Sequence, residues 1–311
     1  MIINRMRHYR YLSVFLFLTW LLSCISYAAQ TRESEELFSS HFISLREGEL
    51  HYFDSEPSAP AEKLVMLCIH GFSSTAFEHS MLAAELAPYI RVIAPDLPGS
   101  GLSYKPEAGY SIDFFVGIIR EFRDTIGLGR VLLLGHSLGG QIALIYAHTY
   151  PGDVEKLILI APYGLQGAEG GFFEWLAQSE FFINLALVFH NRLFLRWGLR
   201  YIAYHNSDRV DPSIETYLAE TLFEQGGKDA LAAICKQVLG KEPVDDLLPE
   251  IQHPVLLIWG TEDRVLDYRW SRQFVTLLSH AELATIPLCG HAPMIERPAE
   301  TAAAIRLFIE D

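Results

Sequence analysis

The segment 135–140, Gly-His-Ser-Leu-Gly-Gly, constrains the fold of this chain more than any other segment. An apolar, strand-like run precedes it at 131–134, and residues 141–148 follow it with helical spacing. A serine between a strand and a helix, with glycines two residues before and after it, is typical of a sharp, strained turn called a nucleophile elbow. An ordinary glycine-rich turn is the alternative, because a bare G-x-S-x-G pattern also occurs by chance. The flanking segments favour the elbow and make Ser137 the candidate nucleophile.

Later in the chain, Asp263 and His291 supply what a serine nucleophile needs. The serine hydroxyl requires a base to take its proton and an acid to hold that base in the useful tautomer. Asp263 follows the apolar run 254–260, and His291 follows the short apolar run 284–288. Because open α/β sheets place their sites at the carboxyl ends of strands, we predict that Ser137, Asp263 and His291 meet as nucleophile, acid and base.

Both partners have alternatives within the sequence. Asp263 could merely cap a turn, with Glu262 or Asp267 as the acid, but its register at the strand end favours Asp263. Two other histidines, His70 and His136, also lie near the predicted site. Neither of them follows the last strand, as the predicted base does.

Two backbone N–H groups are expected to stabilise the developing alkoxide at this site. Leu138 supplies one, because it follows the nucleophile at the positive end of the next helix. Phe72 is predicted to supply the other, since it lies in the loop after the strand-like run 64–69. The loop 96–103 follows another such run, 91–95, and its glycines suit a tight loop beside the site or a plain turn equally well.

Several of these motifs occur together in one known superfamily. They are His70-Gly71-Phe72, the loop 96–103, the elbow 135–140, the segment 258–263 and Gly290-His291. Over roughly residues 42–309 the chain resembles the α/β-hydrolase superfamily. More narrowly, residues 150–154, 161–166, 265–267 and 296–298 are similar to membrane-anchored monoacylglycerol lipases and related bacterial lipases.

This resemblance implies hydrolysis of a lipid-like ester, a monoacylglycerol or a medium- or long-chain acyl ester, through an acyl-enzyme. It implies no cofactor and no metal. Relatives that open epoxides or displace halide carry Asp at the elbow, where this chain has Ser137, and relatives that remove N-terminal proline carry Trp where it has Leu138. A C–C bond or thioester hydrolase, an acyltransferase and a non-catalytic lipid- or partner-binding module remain as alternatives.

The composition suits one enzyme-sized body. The chain has 311 residues, half of them hydrophobic, which is enough for one large α/β core with an insertion. Its formal net charge of −14 argues against binding of nucleic acid. Beyond Cys24, three cysteines remain, and they predict no disulfide framework. The expected partner is a small-molecule ester.

Residues 1–28 have the features of a targeting segment. Arg5, Arg7 and Arg10 precede the mostly apolar stretch 12–25, and small residues follow at 26–29. A cleaved signal peptide, an uncleaved membrane anchor and a lipoprotein signal ending at Cys24 all fit this pattern. Each of them predicts an exported body, periplasmic, secreted or anchored with its catalytic domain outside the cytoplasm.

The remaining pattern predicts an α/β-hydrolase fold, with a mostly parallel central sheet flanked by helices and an inserted helical cap. A hairpin is expected over 42–53, and strand and helix patterns alternate from 64 to 160. The strand pattern then stops until residue 254. We therefore predict a core of residues 40–165 and 249–311, and a helical cap of residues 166–248.

The predicted cap is rich in large apolar side chains. They are Phe172, Phe173, Trp175, Phe181, Phe182, Leu185, Val188, Phe189, Phe194 and Trp197. Packing of the cap helices must explain most of them, but such a surface would also line an acyl pocket. It would equally rest on a membrane, with Arg192, Arg196 and Arg200 as a basic stripe.

Overall fold

The computed structural model describes residues 38–56, 58–59, 63–167, 196, 198–222 and 226–310. The predictions for the leader 1–28, for Arg192 and for the ten large apolar cap residues lie outside these ranges. Among the residues that are described, no helix combines the length and the apolar character that a membrane crossing requires.

The described chain folds around one eight-stranded sheet. Its strands are β1 (Ser39–Ser44), β2 (Glu49–Asp54), β3 (Val65–Ile69), β4 (Arg91–Pro95), β5 (Val131–His136), β6 (Val154–Ile160), β7 (Val255–Gly260) and β8 (Ala281–Ile286). Their order is β1-β2-β4-β3-β5-β6-β7-β8. The strands from β4 to β8 in this order are all parallel to one another, whereas β1 and β2 pair antiparallel. The mostly parallel sheet and the hairpin near its start are thus confirmed.

Helices cover both faces of the sheet. They are α1 (Ser80–Leu86), α2 (Ile112–Thr125), α3 (Leu138–Thr149), α4 (Pro212–Leu222), α5 (Gly227–Gln237), α6 (Arg269–Leu277), α7 (Pro293–Glu296) and α8 (Pro298–Glu310). In α2 the Ser111 hydroxyl accepts the N–H of Phe114 at 3.0 Å, which satisfies one free donor of the first turn. The residues Phe115, Ile118, Ile119 and Phe122 on one side of this helix are buried.

Consecutive residues of a central strand pack into different apolar cores, one on each face of the sheet. Leu133 of β5 and Leu257 of β7 pack in one apolar cluster, and Leu134 and Ile258 pack in the other. All six residues of β5 are buried. Because both faces of the sheet are covered here, the central strands β3, β5 and β7 are continuous apolar runs without polar alternation. The carboxyl ends of β3, β5, β7 and β8 meet at one edge of the sheet, and this edge carries the candidate site.

Within the predicted cap, the described part contains helices and no strand. Helix α5 packs Ile234 into one core, and α4 packs Ile214 into the other. Arg200 and Arg196 contact the carboxylate of Glu215 in α4, with nitrogen–oxygen distances of 2.9 and 3.3 Å. Glu215 is only 1% exposed, so these two arginines balance a buried charge. The contact of a basic stripe with a membrane stays a prediction. The domain boundaries stay a prediction.

Candidate active site

Ser137 lies at a strained turn between β5 and α3. Its backbone adopts φ 52° and ψ −118°, a conformation that costs an L-residue about 1–3 kcal/mol. Neighbouring backbone groups hold it there. The N–H of Ser137 donates to Ile160 at 3.0 Å, and its carbonyl accepts from Gly140 at 2.8 Å and from Tyr163 at 2.9 Å. The side chain of Ser137 remains partly exposed at the edge of the sheet.

The glycines of the elbow are required by close backbone contacts. A Cβ atom at Gly135 would lie 2.3 Å from the carbonyl oxygen of Gly139, and one at Gly139 would lie 2.2 Å from that of Ile69. Gly140 is restricted as well, because its Cβ would lie 2.7 Å from Pro162. These distances explain why the turn needs small residues on both sides of the serine.

His291 and Asp263 form a buried pair at the same edge. The Nδ1 of His291 lies 2.8 Å from Oδ2 of Asp263, and the two residues are 6% and 8% exposed. The other carboxylate oxygen of Asp263 accepts the N–H groups of Val265 at 2.8 Å and Leu266 at 2.9 Å. Since a carboxylate only accepts, Nδ1 of His291 carries a proton and Nε2 is left with a lone pair.

The alternative acids and one alternative base occupy other positions. Glu262 and Asp267 are exposed, and Asp267 accepts the backbone N–H of Arg269 at the start of α6. His70 uses both ring nitrogens within its own neighbourhood, since Nε2 accepts the N–H of Leu97 at 2.9 Å and Nδ1 contacts the carbonyl of Gly71 at 2.8 Å. Among these candidate acids and bases, only Asp263 and His291 contact each other.

The loop after β3 lies against the elbow. A Cβ atom at Gly71 would lie 3.1 Å from Nδ1 of His136 and 3.3 Å from Cβ of Ser137. In the described part of the chain, the N–H of Phe72 has no acceptor. Leu138 is the first residue of α3, so its N–H falls outside the helical hydrogen-bond ladder. Both N–H groups remain candidates for oxyanion stabilisation.

His136 is the residue before the nucleophile, and it is buried with Glu78. Its Nδ1 lies 2.9 Å from Oε1 of Glu78, and its Nε2 lies 3.1 Å from the carbonyl oxygen of His291. Burial disfavours both charges, but the mutual attraction and hydrogen bond of the pair outweigh it. The pKa of Glu78 is therefore lowered to about 2, and the pKa of His136 is raised above its usual value. The sequence singled out His136 only as an alternative base, and Glu78 was missed.

Asp96 gives the loop 96–103 a structural role. This fully buried carboxylate pairs with Nδ1 of His51 at 2.7 Å and accepts the N–H groups of Ala76 and Leu102. Burial raises the pKa of Asp96, but the hydrogen bond and charge of His51 lower it further, so that the net direction is down. A Cβ atom at Gly101 would lie 1.9 Å from this carboxylate, which makes glycine necessary in the loop.

A fourth buried carboxylate at the site, Glu296, fixes the loop of the candidate base. It accepts the N–H of Gly290 at 2.7 Å and the N–H groups of His205 and Asn206 at 2.9 Å each. The N–H of His291 itself donates to the carbonyl of Ala203 at 2.7 Å. The base is thereby tied to residues 203–206 within the predicted cap. In the sequence Glu296 contributed only to the family resemblance.

The cysteines do not compete with Ser137 for the role of nucleophile. Cys68, Cys235 and Cys289 are buried free thiols, and burial raises the pKa of each. Over the described ranges, no group of three or more His, Cys, Asp or Glu side chains is arranged to hold a metal ion.

Comparison with known proteins assigns this arrangement to a family. Residues 66–304 match the alpha/beta hydrolase family. Monoacylglycerol lipase ABHD6 of Homo sapiens is 26% identical over 260 residues, which cover 80% of this chain and 76% of the lipase. The 2-hydroxy-6-oxo-2,4-heptadienoate hydrolase of Pseudomonas putida is 29% identical over 220 residues, covering 68% of this chain and 76% of that enzyme.

A solved structure gives the same result. The crystal structure of a membrane phospholipase A, described as a bacterial virulence factor, superposes with a TM-score of 0.72 at 28% sequence identity. The match covers 96% of this chain and 95% of the phospholipase. The predicted resemblance to monoacylglycerol lipases and bacterial lipases is confirmed. Fold, family match and relatives together show that the chain is a hydrolase belonging to the alpha/beta hydrolase family.

Proposed function

We propose that this hydrolase is a serine carboxylic-ester hydrolase that cleaves lipid-like esters, either monoacylglycerols or other medium- and long-chain acyl esters. The observation that carries the proposal is the buried contact of 2.8 Å between His291 and Asp263, at the same sheet edge as the strained Ser137. A base that is oriented by a carboxylate is what activation of a serine hydroxyl requires, and this supports the proposed roles of the three residues.

In the first half of the proposed reaction, Nε2 of His291 takes the proton of Ser137 while Oγ of the serine attacks the ester carbonyl. The N–H groups of Phe72 and Leu138 stabilise the negative oxygen of the tetrahedral intermediate. The carboxylate of Asp263 stabilises the imidazolium that forms on His291. The imidazolium then gives its proton to the departing alcohol, and an acyl ester on Ser137 remains.

In the second half, water replaces the alcohol. His291 takes a proton from the water molecule, whose oxygen attacks the acyl carbonyl, and the same two N–H groups stabilise the second intermediate. Its collapse breaks the bond between the acyl carbon and Oγ of Ser137, and the serine recovers its proton from His291. The products are a carboxylic acid and an alcohol, and no cofactor takes part.

The lipid-like substrate is supported by two relatives and by the charges at the site. ABHD6 is named a monoacylglycerol lipase and the solved structure a phospholipase A, and both names refer to acyl esters of lipids. The Pseudomonas relative supports a second candidate, hydrolysis of a small oxo acid. An acid substrate would need a cation to bind its carboxylate, but His136 uses both ring nitrogens on protein acceptors. An uncharged ester therefore suits the described part of the site better.

The test is hydrolysis of p-nitrophenyl esters from acetyl to palmitoyl, compared between the wild type and Ser137→Ala. We expect a maximum at medium or long chains in the wild type. In Ser137→Ala, kcat is expected to fall by roughly 10⁴-fold or more, because nucleophile and base act as a unit. The wild type, but not this variant, should react with a fluorophosphonate probe.

Ser271→Ala is the matched control. Ser271 is also a serine with a hydrogen-bonded hydroxyl, here donating to the carbonyl of Tyr268 at 2.7 Å, and it lies in α6. This variant should retain the activity of the wild type. Ester turnover that survives in Ser137→Ala would refute the proposal. Turnover of an oxo-dienoate acid in preference to every ester would favour the second candidate.

A further inference from the structure

We propose that Glu78 and His136 form a positioning pair that holds the oxyanion loop, the elbow and the catalytic histidine in register. We call residues 70–75 the oxyanion loop, because they carry Phe72. The inference rests on the proposed function, since it assigns a role in that reaction to two residues that do not touch the substrate.

Glu78 fastens the oxyanion loop to the strand that carries the nucleophile. Its Oε1 accepts the N–H of Gly71 at 3.1 Å as well as Nδ1 of His136 at 2.9 Å. Its Oε2 accepts the hydroxyl of Ser74. The bonds to Gly71 and Ser74 flank Phe72, whose N–H is the proposed oxyanion donor. One carboxylate thus fixes both sides of this donor relative to the end of β5.

His136 extends the connection to the base. Its Nε2 lies 3.1 Å from the carbonyl oxygen of His291, and the two imidazole rings lie 4.9 Å apart. Both partners of the His136 ring, a carboxylate and a carbonyl, can only accept hydrogen bonds. Only the imidazolium has a proton on each nitrogen and can satisfy both of them. The geometry therefore favours a cationic His136.

The surroundings of the pair favour the same charge state. The charged and titratable groups that face it are His70, His79, Asp263, His291, Cys68 and Tyr204. Burial raises the pKa of Cys68 and of Tyr204, so that both are neutral. His70 is neutral, because its Nε2 accepts an N–H, and burial lowers the pKa of His79 to about 4, so that it is neutral as well. Asp263 adds a negative charge that favours the cation. When a rise in pH removes the proton of His136, one of its two hydrogen bonds must be lost.

A positioning role predicts a specific kinetic effect. Chemistry at Ser137 depends on the placement of the N–H of Phe72 and of the His291 ring, and a displacement of about 1 Å at such a site costs up to about 100-fold in rate. Neither Glu78 nor His136 offers a free polar atom to the substrate in the described part of the chain. Loss of the pair should therefore lower kcat and leave KM nearly unchanged.

The first experiment compares Glu78→Gln with a matched control, Asp153→Asn. Asp153 is also a buried, ion-paired carboxylate, with Arg120, Arg123 and the hydroxyl of Tyr146 as partners. It precedes β6 at the opposite edge of the sheet, away from the site. We expect Glu78→Gln to lose roughly 10- to 100-fold in kcat at nearly constant KM, whereas Asp153→Asn loses only thermal stability.

The second experiment measures the charge of His136 in the wild type and uses a variant only to assign the signal. Nitrogen NMR of ¹⁵N-histidine-labelled wild type distinguishes an imidazolium from a neutral ring, and we expect an imidazolium signal from His136 at neutral pH that titrates above the usual histidine range. Its loss in His136→Gln assigns the signal. A neutral His136, or equal kcat values in Glu78→Gln and Asp153→Asn, would overturn the positioning role alone. A wild type without turnover that depends on Ser137 would instead refute the proposed function.

Discussion

Replacement of Asp263 by Asn tests the proposed acid through the direction of a single hydrogen bond. In the wild type, Oδ1 accepts two N–H groups, those of Val265 at 2.8 Å and Leu266 at 2.9 Å. Oδ2 accepts the proton on Nδ1 of His291 at 2.8 Å. In Asp263→Asn the amide oxygen must keep facing the two backbone donors, since the opposite orientation would place an NH₂ group against them.

This orientation reverses the tautomer of the base. The NH₂ group of the introduced asparagine would face Nδ1 of His291, which must then accept, and the imidazole proton moves to Nε2. A protonated Nε2 cannot take the proton of Ser137. The wrong tautomer costs a Ser-His-Asp enzyme about 10⁴-fold in kcat, which corresponds to about 5 kcal/mol of transition-state stabilisation. Folding should change little, because both backbone hydrogen bonds are kept.

The assay is kcat on the preferred p-nitrophenyl ester, together with the rate of fluorophosphonate labelling and the melting temperature. Glu262→Gln and Asp267→Asn are the controls, because these exposed carboxylates were the other acids compatible with the sequence. Both should retain the activity of the wild type. The assignment of the acid is refuted if Asp263→Asn keeps kcat within tenfold of the wild type. It is also refuted if Asp267→Asn lowers kcat more than Asp263→Asn does.

Two further predictions concern stability. Gly139→Ala should destabilise the fold by about 3 kcal/mol and lower activity, because the new Cβ would lie 2.2 Å from the carbonyl oxygen of Ile69. The control is Gly152→Ala, which should leave thermal unfolding unchanged because the space around its Cβ is open. His79→Phe should reduce the acid sensitivity of folding. The ordinary pKa of 6.5 holds for the unfolded state and about 4 for the folded state, so the unfolded state takes up this proton first. As the pH falls between these values, the free energy of unfolding of the wild type should therefore decrease by up to about 3 kcal/mol more than that of the variant. Urea unfolding of the wild type and the variant, at a pH above 6.5 and at a pH near 4, measures this difference. Equal losses of unfolding free energy in the two proteins would contradict the burial argument.

The sequence predicted those parts of the fold and site that leave a local pattern. Buried parallel strands are continuous apolar runs, and Asp263 follows the end of such a run, β7. His291 follows β8, a strand that mixes exposed and partly buried residues. The glycines around Ser137 were predicted from the strain of a sharp turn, and close contacts with Ile69 and Pro162 now account for them. The cap boundaries and the leader stay predictions.

Glu78 and the pairing of Arg200 could not be predicted, for a physical reason. A buried carboxylate is specified by donors that are distant in sequence, such as His136 for Glu78, 58 residues away. No periodicity within one segment records such a contact. The spacing of Arg196 and Arg200 places them on one side of a helix, but it does not say what this side faces, and the structure places Glu215 there.

The buried charges around the site bear on the kind of substrate it can accept. Asp263, Glu78 and Glu296 each bind backbone N–H groups of the loops that meet at the candidate site. Against these three carboxylates, His136 supplies one buried positive charge, and it is fully engaged. A substrate carboxylate would add a further negative charge that the engaged His136 cannot bind, and desolvation would make its binding costly. An uncharged ester avoids this cost, and its negative charge develops only in the transition state, where the N–H groups of Phe72 and Leu138 can stabilise it.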